Sequence, residues 1–470
     1  MLRFQRSLTW RAAGMAVACL ALLAAIPAPA VAQTTLTHNG VKWTFAGEHK
    51  TGRFVNGEYW IVGPVEIVSI TNDLNDPAFT PRRGQNGSRI NPDGGLHQGY
   101  DCGLPSYRES LNAALPNGKP VSADNRLVLH PNETLISMVS WLYRSADDRE
   151  PGCPPISRTP GAPRPATRSA ALLTCLDAPP REGSFRPPYC GSDKTVRFNL
   201  ADLRLRRLKN LDPVQPMPDV QRIEQAMSRT WVDHVHEWAG AFLHPSEHMP
   251  NYGRDMGHIM IQAALLAHVD FDQLPGKPSK QRILVNLVQY GIDLAGIADA
   301  GGGWPENGGH GMGRKWPILF AGLMLDDDHM KSVGQWDTAF QEDEQTFYVS
   351  QREVDITHSD AWNPDRRAPT LPYEPEHVGM PEWGIRHTRV PQADNRHWRA
   401  TYRDINNSVI PGFVLAALLM DQRAAWDHEA LFDYADRVMA RIDDDTAARV
   451  ANLPPPFVTA MWKAYRAQCP

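Results

Sequence analysis

Residues 301–316 bring together side chains that exchange protons, bind anions and stack on flat ligands. The stretch reads GGGWPENGGHGMGRKW and is followed by an apolar run. Histidine and glutamate act as acids or bases in tuned environments, and arginine binds carboxylates through parallel hydrogen bonds. Glycine lets the backbone approach a ligand closely. These residue types predict a site for a polar ligand. Its candidate side chains are Trp304, Glu306, Asn307, His310, Arg314 and Lys315.

Glycine-rich phosphate loops differ from this stretch. Gly308 and Gly313 have the spacing of a nucleotide-binding P-loop, but the letters RKW follow where that motif needs lysine and then serine or threonine. A dinucleotide fingerprint beginning at Gly309 fails because Arg314 replaces its third glycine. The sequence therefore gives no support for a nucleotide cofactor, and we expect no cofactor of any kind.

Two further polar segments precede apolar runs in the same way. NYGRDMGH (251–258) precedes IMIQAALL, and YRDINNS (402–408) precedes VIPGFVLAALLM, just as 301–316 precedes PILFAGLML. The N-terminal ends of helices present free N–H groups and a partial positive charge, which favour anionic groups. If the three apolar runs are buried helices that point the same way, their polar ends should converge on one mouth.

A fourth polar segment, YEPEHVGMPEWGIRH (373–387), is rich in aromatic and charged residues. Between residues 381 and 403 there are five arginines against two acids, although the chain as a whole is acidic. We therefore expect this segment to join the same site. The proposed substrate-binding residues are Tyr252, Arg254, Trp304, Asn307, Lys315, Tyr373, Glu382, Trp383, Arg386, His387, Arg403 and Asn406.

The sequence contains no complete metal-binding motif and no complete nucleophile motif. HVHEW (234–238) begins like the zinc-binding helix H-E-x-x-H, but Gly240 stands where the second histidine is required. We therefore predict no metal ligand set, while a histidine-rich site in this region stays open. A G-x-S-x-G nucleophile elbow is absent, which gives no support for an esterase of the α/β-hydrolase type. The histidines concerned are His234, His236, His244 and His248.

The elements before residue 210 have the pattern of short strands. VKWTFAG, GRFVNGEYWIVG, VEIVSI, LVLHPNETLISMVSWL and TVRFNLADLRL are rich in β-branched and aromatic residues and are broken by turn residues. Residues 151–190 contain ten prolines and three cysteines. That composition predicts a long loop without regular structure, held by a disulfide from Cys153 to Cys175 or Cys190.

After residue 218 the period becomes helical. In 281–297 four polar residues recur on one face, whereas 259–269 and 409–420 are apolar nearly all round and should be buried on every side. Alternation of buried and amphipathic helices predicts an inner and an outer ring. The fold class expected is α+β and multidomain, with a β-rich part at 33–210 and a helical part at 218–470.

The first 32 residues have the layout of a secretory signal peptide. Arginines precede the apolar core MAVACLALLAAI, and Ala30-Val31-Ala32 supplies a cleavage site. The full chain has a formal net charge of −5, and removing the three arginines of residues 1–32 leaves −8. This acidity argues against nucleic-acid binding. No later segment predicts a membrane span, so we expect a secreted or periplasmic protein, and the sequence does not indicate its oligomeric state.

The succession of a β-rich part and alternating helices resembles the (α/α)-toroid carbohydrate-active enzymes. These include families of glycoside hydrolases and of polysaccharide lyases, and the resemblance covers about 218–470. It is architectural, because the N-N-H run of alginate-lyase toroids is absent and Asn406-Asn407-Ser408 is its nearest counterpart. The resemblance implies a polysaccharide or oligosaccharide substrate in a groove at the ends of the inner helices. Trp304 and Trp383 would stack on its sugar rings.

Two reactions fit such a groove. A hydrolase needs two carboxyl groups that flank the glycosidic bond. A lyase removes the proton next to a uronate carboxylate and needs cations or hydrogen-bond donors on that carboxylate. Several cations crowd the proposed mouth, which favours β-elimination on an anionic polysaccharide; a hydrolase and a non-catalytic carbohydrate-binding protein remain alternatives. Carboxyl candidates for the hydrolase are Asp255, Glu306, Glu376 and Glu382.

The lyase hypothesis assigns catalytic roles to four residues. His310 and Tyr402 share the base and acid roles. Arg314, helped by Asn307, holds the substrate carboxylate, and Glu306 orients or neutralises the site.

The mature protein should begin at Gln33, because a signal peptidase cleaves after small residues at this spacing. Intact-mass measurement of exported material checks this expectation. A dominant species that retains residues 1–32 would contradict it.

Overall fold

Strands predominate before residue 177 and helices after residue 219, so the predicted order of a β-rich part and a helical part is confirmed. The computed structural model describes residues 33–72, 85–140, 167–235, 240–248, 253–276, 278–360, 362, 371–384, 401–443 and 452–470. Residues 33–470 form one compact unit. Its largest hydrophobic core contains Ile136 from a strand and Leu284 from a helix, so the two parts share a core.

The strands before residue 177 form two sheets. Sheet A is antiparallel and contains, in spatial order, β1 (Thr35–His38), β2 (Val41–Phe45), β5 (Val65–Asn72) and β7 (Leu127–Leu129). Sheet B contains, in spatial order, β3 (Thr51–Arg53), β4 (Tyr59–Val62), β9 (Thr167–Leu176), β8 (Glu133–Ser140) and β6 (Ser88–Ile90). In sheet B the pair β4–β9 is parallel and the other pairs are antiparallel.

Sheet B is the middle layer of the unit. Successive side chains of a strand point to opposite faces. In β8, Leu135 and Val139 belong to the core shared with sheet A, whereas Ile136 and Met138 belong to the core shared with the helices. Both faces of β8 and β9 are covered, and every residue of these strands except Glu133 and Arg168 is buried, including the serines and threonines.

Strand β9 corrects the prediction for residues 151–190, since it places a regular element inside the proposed loop. The prolines of that region flank the strand, and none lies within TRSAALLTCL. A composition averaged over the whole region therefore hid a proline-free stretch of β-compatible residues. The strand expected in TVRFNLADLRL is also wrong, because Leu200–Asp202 and Leu205–Arg207 form 3₁₀ turns there.

The predicted disulfide is wrong as well. Cys175 and Cys190 are free and buried, so neither can pair with Cys153, which lies outside the described residues. Cys102 is disulfide-bonded, and its partner is not one of the other described cysteines. Cys175 is an apolar member of the sheet A–sheet B core, and burial raises the pKa of its thiol to about 12. These buried thiols are packing residues.

The helices surround the core on the far side of sheet B. They are α1 (Val220–Met227), α2 (Gly253–Leu266), α3 (Gln281–Asp299), α4 (Lys315–Leu325), α5 (Asp328–Lys331), α6 (Gln341–Gln345), α7 (Gln351–Thr357), α8 (Thr401–Asn407), α9 (Ile410–Leu419), α10 (Arg423–Trp426), α11 (Glu429–Asp443) and α12 (Pro456–Tyr465). A small hairpin of β10 (Thr346–Tyr348) and β11 (Pro381–Trp383) lies among them. None of these described helices has both the length and the apolar composition needed to cross a membrane.

Burial follows the apolar pattern in the long helices. Every residue of α4 and α9 is buried, as predicted for a helix that is apolar all round. Helix α3 differs, because its polar residues Gln289 and Asp293 are buried too. They contact the loop that follows β9: Gln289 bonds both the N–H and the carbonyl of Arg186, at 3.0 Å each. The polar face of α3 therefore faces the β-rich part.

Arg186 joins three segments through a buried ion-pair network. Its guanidinium bonds Glu58, next to β4, and both oxygens of Asp293 in α3, at 2.8 and 2.5 Å. Burial raises the pKa of Glu58, but the Arg186 guanidinium outweighs burial and holds that pKa below its usual range. Arg186 thus compensates the buried carboxylates of Glu58 and Asp293, and so links a strand, a loop and a helix.

Arg186→Met should destabilise the fold strongly, because Glu58 and Asp293 would remain buried without their cation. We expect a loss of about 3–5 kcal/mol in the free energy of unfolding, measured by urea denaturation. The control is Arg197→Met, whose ion pair with Asp193 leaves both side chains at least half exposed, 50% and 56%. That change should cost at most about 1 kcal/mol. Equal losses in the two variants would contradict the role of Arg186.

Candidate functional site

The glycine-rich loop 301–314 and helix α8 are held together by Asn406. Its amide Nδ2 donates to the carbonyl of Gly308 at 2.8 Å and to the carbonyl of Tyr402 at 2.8 Å. The two accepting oxygens can therefore be no more than twice that distance apart. Asn406 is buried, whereas Tyr402 is partly exposed. Asn406 is thus a positioning residue, and Tyr402 lies beside the loop.

The other two polar segments also contact α8 or its C-terminal end. Arg403 Nη2 lies 3.2 Å from Glu382 Oε1 and donates to the carbonyl of Trp383 at 3.1 Å. His258 Nε2 and Ser408 Oγ are hydrogen-bonded at 2.9 Å. Each of these polar segments therefore contacts α8 or its C-terminal end, while their convergence on one shared mouth stays a prediction. These contacts are largely buried, however, and do not themselves form an open mouth.

The tryptophans predicted to stack on sugars are buried in the protein. Trp304 stacks on Phe340 with ring centroids 5.8 Å apart and donates its indole N–H to the carbonyl of Asp233 at 3.2 Å. Trp383 is fully buried and packs beside Tyr434. Neither ring has a face open to a ligand, so the sugar-stacking role is corrected to a packing role. Tyr373 is likewise fully buried.

The cations of the proposed mouth are paired with carboxylates. Arg314, Lys315 and Arg403 are buried, and Arg254 is partly exposed. The expectation of a solvent-facing cationic mouth is thus corrected, because each positive charge is matched by a carboxylate. Three of those carboxylates are far away in the sequence. The pairs are Arg314 with Asp233, Lys315 with Asp343, Arg403 with Glu382, and Arg254 with Asp255.

Asp233 is the centre of the buried network behind the glycine-rich loop. Its carboxylate accepts from Arg314 Nε at 2.7 Å and Nη2 at 3.0 Å, from Tyr290 Oη at 2.9 Å and from His244 Nε2 at 3.2 Å. Burial raises the pKa of Asp233, but the Arg314 guanidinium outweighs burial and holds the pKa far below its usual range. Because Arg314 also donates to the Met312 carbonyl, its donors are committed inside the protein. Arg314 therefore positions Asp233 and does not reach solvent.

His244 has one ring nitrogen bound to Asp233 and the other available. Burial lowers the pKa of His244 against the opposing effect of the Asp233 carboxylate, which favours the neutral imidazole. An ionised carboxylate only accepts hydrogen bonds, so Nε2 carries the proton and Nδ1 carries a lone pair. Nδ1 is buried and forms no hydrogen bond in the described part of the chain. Asp233 thus fixes a tautomer with a bare basic nitrogen.

A small cavity joins this pair to the glycine-rich loop. Its volume is about 10 Å³, and its lining includes Asp233, His244, Asn307 and His310. A space of this size holds about one water molecule. Asn307 and His310 are partly exposed, and the His310 N–H donates to the Asn307 carbonyl at 3.1 Å in a tight turn. The two loop residues therefore lie between solvent and the Asp233–His244 pair.

Close packing explains the glycines of the loop. Gly313 has a φ of +85°, and a Cβ there would lie 2.3 Å from the Phe413 ring. A Cβ on Gly94, in the β-rich part, would lie 2.3 Å from the Gly302 backbone. The loop is also held by Gln341, whose side-chain oxygen accepts from the Gly311 N–H at 2.7 Å. Glycine is required here for contact with neighbouring elements.

A larger cleft of about 810 Å³ begins beyond the turn that carries His244. It is lined by α1, by residues 246–248 and by the first turns of α2. Its wall holds two arginines and three acids, together with amides, hydroxyls and neutral histidines. His248 is buried in this wall, and neither of its ring nitrogens has a hydrogen-bond partner in the described residues. Acids outnumber arginines in this wall, so the cleft has no excess of positive charge.

Sequence reasoning missed Asp233 because the helical period found after residue 218 gives no sign of an irregular segment there. Helix α1 ends at Met227, and Asp233 lies in the irregular segment that follows. The letters DHVHEW carried a signal, since an acid and histidines at short spacing form acid–histidine pairs, but it was interpreted only as a possible metal motif. His234 of that motif is buried between the hydroxyls of Tyr100 and Tyr189.

Several predicted residues have other positions. Glu306 is partly exposed in the loop, with its N–H donated to Glu344 Oε2 at 2.9 Å. Glu376 is exposed on a 3₁₀ turn. No group of three or more acidic, histidine or cysteine residues within the described ranges could hold a metal ion. The predicted residues outside the described ranges are Tyr252, Arg386, His387 and the histidine candidate His236.

Comparison with known proteins adds no assignment. No protein-family model matches the chain, and neither a curated protein nor a solved structure matches it. Function must therefore be argued from the chemistry of the site itself.

Histidines around the site make stability depend on pH. Burial lowers the pKa of His248 to about 3 and that of His258 to about 4, from a usual value of 6.5. Below about pH 6.5 the unfolded chain binds protons that the folded chain excludes. Their contribution to the free energy of unfolding is therefore unchanged above about pH 7.5 and becomes unfavourable as pH falls from about 7 toward about 4.

Replacing His248 by glutamine should make this pH dependence shallower, because glutamine does not titrate. Urea unfolding at about pH 7.5 and at about pH 5 measures the difference, and one such histidine accounts for up to about 1.4 kcal/mol per pH unit between its two pKa values. His248→Gln shifts stability at both pH values through packing, so only the difference between them counts. An unchanged difference would contradict the burial of neutral His248.

Proposed function

We propose that this protein is an exported polysaccharide lyase that cleaves a uronic-acid-containing polymer by β-elimination. The observation that supports this proposal best is the position of Asn307 and His310. Both are partly exposed, and both line the cavity that Asp233 and His244 also line. This arrangement offers a proton acceptor and an amide donor at one point of the surface, with a second base behind them.

In the proposed reaction, His310 takes the proton from the carbon next to the uronate carboxylate. The electron pair left on that carbon forms the new double bond as the glycosidic C–O bond breaks. Tyr402, at the start of α8, gives a proton to the leaving oxygen. The Asn307 amide donates to the substrate carboxylate, where negative charge develops. This revises the hypothesis from sequence, in which Arg314 held that carboxylate.

The Asp233–His244 pair supports His310 from behind. A water molecule in the cavity can pass a proton from His310 to the bare Nδ1 of His244. The ionised Asp233 stabilises the imidazolium that forms. Arg314 keeps Asp233 ionised, so it is a positioning residue in this scheme. Glu306, which is part of the loop, orients it.

The alternatives are a hydrolase and a non-catalytic carbohydrate-binding protein. Of the carboxyl candidates for a hydrolase, Glu382 is fully buried between Arg403 and Arg437, and Asp255 is paired with Arg254. Glu306 in the glycine-rich loop and Glu376 on an exposed 3₁₀ turn are the carboxyl candidates that remain for hydrolysis. A binding protein would need exposed aromatic rings, and Trp304 is buried. Elimination needs only one base, one acid and carboxylate donors.

We also propose that the helical part is an (α/α) toroid with α2, α4 and α9 in its inner ring. The complete burial of α4 and α9 supports this arrangement. The polar segments at or before the N-terminal ends of these three helices support it as well. Export rests on the predicted signal peptide at 1–32.

The test is incubation of the mature protein with homopolymeric uronates and with alternating uronate–hexosamine polymers, following the ultraviolet absorbance of the unsaturated product. His310→Ala should lower the rate by about 10² to 10⁴. Glu306→Gln, which keeps the shape of the side chain, should lower it less. The control is His329→Ala, which changes an exposed histidine that is paired with Asp299. It should retain full activity.

Two outcomes would overturn the proposal. New reducing ends without unsaturated product, together with an inactive Glu306→Gln variant, would replace elimination by hydrolysis. Full activity of His310→Ala on a polymer that the wild type cleaves would remove His310 from the mechanism.

A further inference from the structure

Another concave surface lies at the N-terminal end of α3, whereas the glycine-rich loop follows the C-terminal end of that helix. A groove of about 550 Å³ is lined by residues 200–210 and by the loop and first turn that begin α3. Its apolar wall consists of leucines, and its rim carries two lysines. The lining leucines are Leu200, Leu203, Leu205, Leu208 and Leu284, and the rim lysines are Lys209 and Lys280.

Leucine and basic residues alternate along one wall of this groove. The letters LRLRRLK span 203–209. Leu203 and Leu208 pack against the main core, whereas Leu205 is 55% exposed and belongs to no core cluster of the described residues. An exposed leucine beside a groove of leucines is apolar surface that water solvates poorly.

The cations beside Leu205 are only partly neutralised. Arg204 and Arg207 share one exposed acid, Asp326, at 3.5 and 3.7 Å, and such exposed pairs are weak. Arg206 and Lys209 are exposed and form no ion pair with any described residue. The positive charge of this wall is therefore available, although the chain as a whole is acidic.

Lys280, the other rim lysine, is already hydrogen-bonded within the protein. Lys280 Nζ donates to the carbonyls of Val269 at 2.6 Å and Ala267 at 3.3 Å, and Asp270 and Asp272 raise its pKa against the effect of burial, which is larger. Lys280 thus holds the groove in shape. The charges left to attract a ligand are those of the 204–209 wall.

We propose that this groove docks the protein on an anionic lipid surface. Its wall combines exposed cations for the head groups with a leucine and an apolar groove for acyl chain, which is the pairing that peripheral proteins use at membranes. A soluble polyanion would engage the arginines but leave the leucine groove without a partner. The surface is separate from the loop at 301–314, so docking leaves the proposed reaction site free.

The experiment uses the mature full-length protein and sedimentation with vesicles of phosphatidylcholine alone or mixed with phosphatidylglycerol. Binding should require phosphatidylglycerol and should weaken as salt rises. Arg206→Glu/Lys209→Glu should lower partitioning by about tenfold or more. The control Lys50→Glu/Lys119→Glu reverses two exposed lysines in the β-rich part, changes net charge by the same amount and should bind like the wild type.

Leu205→Ser separates the lipid from soluble anions. It keeps every charge, so it should weaken vesicle partitioning several-fold without changing retention on an immobilised sulfated polymer. Equal binding to both vesicle types, an equal loss in the lysine control, or full vesicle binding by Leu205→Ser would each overturn the proposal. Because the substituted side chains are exposed, unchanged urea midpoints verify that the variants fold.

Discussion

The buried pair of Asp233 and Arg314 is the interaction on which the site depends. Neither charge could remain inside the protein without the other, because both side chains are buried. Their contact joins the irregular segment after α1 to the start of α4, and Tyr290 of α3 donates to the same carboxylate. The charge of Asp233 determines the tautomer of His244, and His244 lines the cavity next to the partly exposed loop residues. The candidate site is therefore an extension of the electrostatics of the core.

Much of the fold could be predicted from sequence because long apolar patterns determine burial directly. Helices α4 and α9 and strands β2, β5 and β8 follow from local periodicity alone. Strand β9 could not be predicted from composition, since the prolines on both sides dominated the window. The end of α1 at Met227 was missed because the apolar spacing continues past it, while the backbone turns so that Asp233 meets donors from α3 and α4. Tertiary contacts therefore determine where α1 ends.

The site was harder to predict for a related reason. A sequence displays the arginines of 301–316 and 373–403 as local clusters, but their carboxylate partners are distant in the chain, as with Arg314 and Asp233. Charged residues grouped before a buried helix can bind a ligand or compensate one another, and only the fold distinguishes the two. Most of these charged residues compensate one another. The residues left with access to solvent, among them Asn307, His310 and Tyr402, are uncharged or titratable side chains held by that internal network.

The contact between Gly94 and Gly302 has a consequence for how the chain is organised. The backbone of the β-rich part touches the glycine-rich loop so closely that no side chain fits between them. The Gly95 N–H also donates to the carbonyl of His234, the residue next to Asp233. The strand-rich region is thus one wall of the loop and differs from a carbohydrate-binding module attached by a linker. A module on a linker can be replaced as an independent unit. Here a substitution in the region where it touches the loop requires a matching change in the loop.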